Sequence, residues 1–225
     1  MATAVETKPT RTPDGEHRFL LRGVGWEGYE ALLRMVDGGR VRVTYDRGDA
    51  ELMSPSQNHE FYKKVIGWML ETAFEELDIP YQAAGSTTWR KQADGRGLEA
   101  DECFYLSNLE LVHRKRNQLD LTIDPAPDLA VEVEISRSAL DRMGVYAALG
   151  ISEVWRFDGE NLVIGRLEPE GRYAEVPVSP RLPELPPGEI VRWIRLAEAT
   201  ANRAEWNRRF RDWVRAELRP KRAGR

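Results

Sequence analysis

The chain has 225 residues, of which 41% are hydrophobic and 31% charged, a balance typical of a soluble globular protein rather than of a disordered chain. Its formal net charge of −4 excludes a globally basic protein, so a surface that binds phosphates would have to be local. Its single cysteine, Cys103, excludes an internal disulfide framework and a cysteine-cluster metal site. The sequence has neither an apolar run of the ~20 residues that cross a bilayer nor a signal-peptide core within residues 1–22, so we expect a cytoplasmic protein.

The N-terminal half is predicted to form helices and short strands. Residues 1–15 are polar and predict a flexible lead. Apolar residues at spacings of three and four predict one helix over residues 25–36 and a second, more deeply buried helix that ends near Leu77. Ser54 or Ser56 is a candidate N-cap for the second helix, and a short helix is expected near residues 109–114. Strands are predicted at residues 41–45, 50–53, 81–84, 86–91 and 98–106.

The C-terminal half continues the mixture of strands and helices, which favours an α/β or α+β fold. A strand at residues 127–136 is followed by a helix over residues 139–149 that Gly150 ends. Further strands are predicted at residues 152–158, 161–167 and 173–177, and helix over residues 189–218 with a break near 199–201. We therefore divide the chain into a lead (1–15), a domain (16–188) and a C-terminal helical extension (189–225) whose basic tail, 219–225, is expected to fray.

One strand carries an unusual number of carboxylates. Four apolar residues alternate along residues 129–135, while Asp128, Glu132 and Glu134 share the opposite face. Carboxylates this close together are costly unless a cation or solvent compensates their charge. The pattern therefore indicates either part of a hard-metal site or a half-buried strand with a solvated acidic face.

Asp101 is the second acidic residue that lies in the middle of a predicted strand, on the face opposite its apolar side chains. If the two strands are neighbours, Asp101 and Glu132 can converge on a magnesium or manganese ion, which needs few carboxylates beside water and phosphate oxygens. Such an ion activates a bound water and neutralises charge on a phosphodiester. The side chain of Glu134 is expected on the same face of the strand as Glu132, so it could also reach the site. Arg142, early in the next predicted helix, can contact a scissile phosphate, pair with Glu132 or Glu134, or form only a surface ion pair.

Several short motifs occur together and in a fixed order. They are PDLAVEV at residues 127–133, Asp141-Arg142, Tyr146, GISEVW at 150–155, ELMSPS at 51–56 with His59-Glu60, and LEADECFY at 98–105. This combination resembles the signature of the Uma-two family, which comprises bacterial proteins of restriction-endonuclease type in the PD-(D/E)XK nuclease superfamily. The resemblance extends from about residue 25 to residue 158.

The resemblance implies a PD-(D/E)XK nuclease-like mixed sheet flanked by helices, and magnesium-dependent (or manganese-dependent) hydrolysis of DNA. It implies that Asp101 and Glu132 hold the metal, with Glu60 and the backbone carbonyl of Val133 as further ligands. The superfamily lysine falls at Glu134, and the helix lysine that replaces it in the family aligns with Arg142.

Both departures leave a second function open, a nuclease-fold protein that has lost catalysis and binds nucleic acid or a protein partner. Cleavage of both DNA strands would suit a homodimer.

The C-terminal segment is basic, in contrast to the whole chain. Residues 201–225 contain nine Arg or Lys and three Asp or Glu, a net charge of 9 − 3 = +6. Trp206, Phe210 and Trp213 lie on one side of the predicted helix. This amphipathic pattern favours packing on the domain, dimerisation or contact with phosphates.

Overall fold

The computed structural model describes residues 15–115 and 118–224, so that residues 1–14 of the predicted lead lie outside the described residues. One sheet is antiparallel throughout, with the strand order β1-β3-β2-β6-β5. Its strands are β1 (His17–Leu21), β2 (Arg42–Asp46), β3 (Asp49–Ser54), β5 (Thr88–Lys91) and β6 (Arg96–Glu99). The predicted hairpin between β2 and β3 turns at Arg47 and Gly48, which both have positive φ, as a tight two-residue hairpin requires.

The second sheet is mixed, with the order β11-β10-β9-β8-β7-β4. Its strands are β4 (Gln82–Ala83), β7 (Glu102–Tyr105), β8 (Leu129–Val133), β9 (Glu153–Phe157), β10 (Leu162–Leu167) and β11 (Tyr173–Val176). β8 and β9 are parallel, and the other neighbouring strands are antiparallel. The parallel pair needs a crossover connection, which includes helix α4 (Arg142–Leu149).

Helices cover both faces of the mixed sheet. The main core lies between this sheet and α2 (Gln57–Glu76), α5 (Pro187–Ala199) and α6 (Arg203–Trp213). On the other face, α4 packs between the two sheets. The remaining helical elements are α1 (Trp26–Val36), α3 (Leu109–Lys115), a π-helical turn (Val214–Leu218) and α7 (Arg219–Ala223). The predicted mixed sheet flanked by helices is confirmed.

The predicted strand over residues 98–106 is wrong as a single element. The chain passes from the antiparallel sheet to the mixed sheet at Ala100-Asp101, so β6 and β7 belong to different sheets. Alternation therefore does not continue through the link. Leu98 packs in the cluster around α4, whereas Phe104, predicted on the same face as Leu98, packs in the core beneath α2.

The helix predicted over residues 139–149 begins later, at Arg142. The hydroxyl of Ser138 and the amide of Ala139 donate hydrogen bonds to Glu51, at 2.8 and 2.7 Å, so this backbone is engaged elsewhere. Asp141 is the N-cap and accepts a hydrogen bond from the Gly144 amide at 3.0 Å. Gly150 ends the helix with φ of 83°, as predicted.

The described part of the basic tail is helical rather than frayed. Arg219 donates to Asp78 at 2.7 Å, and Arg222 lies 3.6 Å from Glu184. Among the described residues, none of the helices combines the length and apolar character needed to cross a membrane.

Candidate active site

Asp101 lies in the link between β6 and β7 and is fully buried. Its Oδ2 accepts a hydrogen bond from the backbone amide of Val133 at 2.7 Å. Its Oδ1 contacts His59 Nε2 at 2.8 Å and forms an ion pair with Arg42. Asp101 is therefore not in the middle of a strand, as predicted, but directly before β7. Because β7 pairs with β8, the expectation that the chain segments of Asp101 and Glu132 are neighbours is confirmed.

Glu132 points from β8 toward α4 and is also buried. Its Oε2 accepts hydrogen bonds from Arg142 Nη2 and the Tyr146 hydroxyl, both at 2.7 Å, while Arg142 Nε lies 2.6 Å from Oε1. Burial alone raises the pKa of Glu132, but the charge of Arg142 and these hydrogen bonds outweigh it and hold the pKa below its ordinary value. The alternative of a solvated acidic face is therefore wrong for Glu132.

Arg142 lies in the protein interior. Besides Glu132, it donates to the Thr44 hydroxyl and, at 3.2 Å, to the backbone carbonyl of Glu99. Its guanidinium therefore bridges α4, β2 and β6. Of the partners predicted for Arg142, the structure provides Glu132.

A second buried arginine pairs with Asp101. Arg42, on β2, contacts Asp101 through Nη1 and Glu60 through Nη2, the latter at 2.9 Å. Arg42 Nη1 also lies 2.9 Å from Nε2 of His59, whose other ring nitrogen, Nδ1, lies 2.9 Å from Glu16. Burial and the charge of Arg42 lower the pKa of His59 more than the hydrogen bond and the charge of Glu16 raise it.

A cleft of about 650 Å³ opens beside this group of residues. We call it the α2 cleft, since the first turns of α2 form one wall and the chain before and within the start of β2 forms another. Glu60, which is half exposed, and Glu99 lie along it together with the cations Arg40, Arg42 and Lys63. Burial raises the pKa of Glu99, although Arg42 and Lys63 oppose this shift.

The other predicted site residues are placed differently. Glu134 accepts a long hydrogen bond from the Ser138 amide at 3.3 Å, lies 3.9 Å from Arg156, and lines a separate open cleft with Asn58. Glu134 and Glu132 therefore have different partners. Val133 contacts Asp101 through its amide, whereas its carbonyl was the predicted metal ligand.

The two buried carboxylates fit magnesium in the kind and number of their donors. Within residues 15–115 and 118–224, no group of three or more His, Cys, Asp and Glu side chains is arranged to hold a metal ion. Magnesium, however, commonly takes one or two carboxylates and completes its shell with water and phosphate oxygens. Asp101 Oδ2 and Glu132 Oε1 each have one partner among the described contacts, so each retains a lone pair. Arg42 and Arg142 already neutralise part of the negative charge.

The structure adds site residues that the residue pattern did not predict. Arg42 and Glu16 could not be recognised as site residues from the sequence. Each is buried by elements that are distant in sequence, and its neighbours in the chain do not reveal this. His59 and Tyr146 belong to the motifs at residues 59–60 and 146, and those motifs were the available indication.

A search of curated proteins finds no match to this chain. The family model of Uma2, described as "Putative restriction endonuclease", matches residues 26–199. That segment covers more than half of the chain, and it includes Asp101, Glu132 and Arg142. The chain therefore belongs to the Uma2 family of restriction-endonuclease-like proteins.

Proposed function

We propose that this protein is a magnesium-dependent endonuclease that hydrolyses phosphodiester bonds of DNA at Asp101 and Glu132. The observation that carries the proposal is the placement of two buried carboxylates. Asp101, in the link that leads into β7, accepts a hydrogen bond from the amide of Val133, the residue after Glu132 on the neighbouring strand β8. Membership of the Uma2 family supports nuclease chemistry, and the cations along the α2 cleft suit a phosphate backbone.

The roles of the residues follow from their contacts. Asp101 and Glu132 would hold the metal, with Glu60 reaching in from the cleft and the Val133 carbonyl as a further donor. Magnesium, when bound, supplies a Lewis acid for the phosphoryl oxygen and lowers the pKa of a bound water. Arg142 and Tyr146 orient the Glu132 carboxylate and keep it ionised. Arg42 and the Val133 amide fix the orientation of Asp101.

The direct test compares Asp101→Asn and Glu132→Gln with the unchanged protein on duplex DNA, in magnesium, in manganese and with a chelator. We expect cleavage only with metal, and a loss of at least ~100-fold in each variant, because removing a preorganised charge from an active site costs about that much. Glu153→Gln is a matched control, since Glu153 is a buried glutamate of the adjacent strand β9. Thermal melts of each variant separate loss of chemistry from loss of fold. Metal-dependent cleavage that survives both substitutions would contradict the assignment.

A second candidate function is favoured by the two internal ion pairs. Arg42 and Arg142 partly supply the positive charge that a metal would bring to Asp101 and Glu132. A nuclease-fold protein that binds nucleic acid or a protein partner without cutting would have this arrangement. It predicts that the protein binds duplex DNA with a chelator present but cuts it under no metal condition. Cleavage gained by Arg142→Lys would identify position 142 as the point where catalysis was lost, since lysine can exchange a proton and arginine does not.

The homodimer is part of the same proposal, because two copies related by a two-fold axis match the symmetry of a duplex. Light scattering with and without DNA measures the oligomeric state directly. A protein that remains monomeric on DNA while it cuts both strands would contradict this part of the proposal.

A further inference from the structure

Arg142, the arginine predicted to contact a scissile phosphate, is poorly placed to do so. Its described contacts are directed at Glu132, Thr44 and the Glu99 carbonyl, and the side chain is 4% exposed. A residue that binds a substrate phosphate needs at least one donor directed into an open cleft. Such a cation has to come from elsewhere in the site.

Lys63 meets this requirement. It lies on α2, three residues after Glu60, and lines the α2 cleft with a side chain that is 15% exposed. Its Nζ donates to the Ser86 hydroxyl, which in turn donates to the backbone carbonyl of Asp101 at 3.2 Å. Two hydrogen bonds therefore position the ammonium group relative to the residue that anchors the proposed active site.

The donors of Lys63 are not all consumed by these contacts. An ammonium group has three donors. One binds Ser86, and Oε2 of Glu60, which also lines the cleft, lies 4.0 Å from Nζ. A donor thus remains for an oxygen of a bound phosphate, and Lys is a good phosphate ligand because it acts as a compact point charge.

We propose that Lys63 contacts a backbone phosphate of nucleic acid bound in the α2 cleft, next to Asp101. The inference rests on the proposed function for the identity of the ligand, and it names the cleft and the residue through which that ligand is held. Of the other two cations that line the cleft, Arg42 is buried and paired with Asp101 and Glu60, and Arg40 is exposed.

Lys64 offers a matched control. It is the next residue of the same helix, has the same charge, and is exposed on a different side, because successive helical residues are rotated by about 100°. Lys64 does not line the α2 cleft. Lys63→Met and Lys64→Met therefore each remove one positive charge from the same helix, but from two different sides of it.

The experiment measures duplex-DNA affinity by fluorescence anisotropy over a range of salt concentrations, with a chelator, and single-turnover cleavage with magnesium. We expect Lys63→Met to lower affinity and to reduce the slope of log K against log salt by about 1, as the loss of one phosphate contact does. We also expect it to slow cleavage by at least ~10-fold, as loss of a substrate-positioning contact does. Lys64→Met should stay within about two-fold of the unchanged protein in both assays, and Lys63→Arg should restore the salt slope because it restores the charge.

Equal effects of Lys63→Met and Lys64→Met, or an unchanged salt slope in Lys63→Met with a normal thermal melt, would overturn the inference. The absence of DNA binding by the unchanged protein would overturn it as well. A protein that cuts nothing, yet loses affinity specifically on Lys63→Met, would refute the proposed catalysis while supporting Lys63 as the phosphate contact.

Discussion

The guanidinium of Arg142 spans both carboxylate oxygens of Glu132, with Nε 2.6 Å from Oε1 and Nη2 2.7 Å from Oε2. Both side chains are buried, and Thr44, the Glu99 carbonyl and Tyr146 supply the other hydrogen bonds of the pair. The pair joins the start of α4 to the C-terminal end of β8, so it fixes the crossover connection against the sheet. Whatever the catalytic role of Arg142, this contact gives it a structural one.

We expect Arg142→Met to lower the free energy of unfolding by about 3–5 kcal/mol, because a buried carboxylate loses its partner. Urea denaturation monitored by tryptophan fluorescence measures the change. Arg142→Lys keeps the charge but not the two-point contact, so its loss should be smaller.

The double variant Glu132→Gln/Arg142→Met is the control for this interpretation. Removing both charges leaves neither one unpaired, so its destabilisation should be smaller than the sum of the two single changes. Additive losses would show that the two side chains act independently.

The C-terminal helices belong to the main core of the domain. Trp206 on α6 is 1% exposed, stacks on Phe210, and donates from Nε1 to the Trp193 carbonyl at 3.0 Å. The basic residues Arg211 and Arg215 lie against Glu76 of α2. Packing on the domain, one of the roles predicted for this segment, is therefore confirmed.

We expect Trp206→Ala to cost about 3–5 kcal/mol of the free energy of unfolding, since it removes a large buried side chain. Trp213→Ala is the comparison, because Trp213 is only partly buried, and it should cost clearly less. Urea denaturation measures both. If Trp206→Ala left the unfolding free energy unchanged, the segment after residue 200 would be a detachable appendage.

Glu153 should make stability depend on pH in a defined direction. Burial raises its pKa above the ordinary 4.5, although hydrogen bonds from Ser179 and Trp155 oppose the shift. The folded state therefore binds the proton more tightly than the unfolded chain does. Its contribution to stability is largest below about pH 4.5 and falls as the pH rises through the folded pKa.

Glutamine does not titrate, so Glu153→Gln should gain stability relative to the unchanged protein as the pH rises from about 4 to about 7. Urea denaturation at several pH values tests this. If the difference in unfolding free energy between Glu153→Gln and the unchanged protein stayed constant with pH, the Glu153 carboxyl group would have the same pKa in the folded and the unfolded state.

The rate at which Cys103 reacts with a thiol reagent should measure how often the chain around Asp101 opens. Cys103 lies on β7, two residues after Asp101, is fully buried, and burial raises its pKa to about 12. The reactive thiolate is therefore scarce in the folded protein, and we expect slow labelling by a thiol reagent. The labelling rate should rise with denaturant along with global unfolding. Rapid labelling under native conditions would indicate local opening of the link between β6 and β7.

The residue pattern was sufficient for many local elements and for the family. The Ser56 cap of α2, the Gly150 end of α4 and the alternating strand at Leu129–Val133 depend on neighbours in sequence, so local reasoning finds them. The motifs also selected Asp101 and Glu132 as candidates. In the structure Asp101 lies in the link before β7, and its side chain is hydrogen-bonded to the Val133 amide of β8, the strand of Glu132.

The tertiary structure decided which charges meet. Glu132 and Glu134 look equivalent along an alternating strand, yet one is enclosed by α4 and the other lies beside Arg156 near an open cleft. Arg42 reaches Asp101 across 59 residues of sequence, and Arg142 reaches Thr44 across 98. Sequence by itself determined most of the helices and strands and the family, and it selected Asp101 and Glu132 as candidate site residues. Their counter-ions and the position of Lys63 depend on packing between distant elements, because burial and ion pairing arise only when the two sheets and α2 come together.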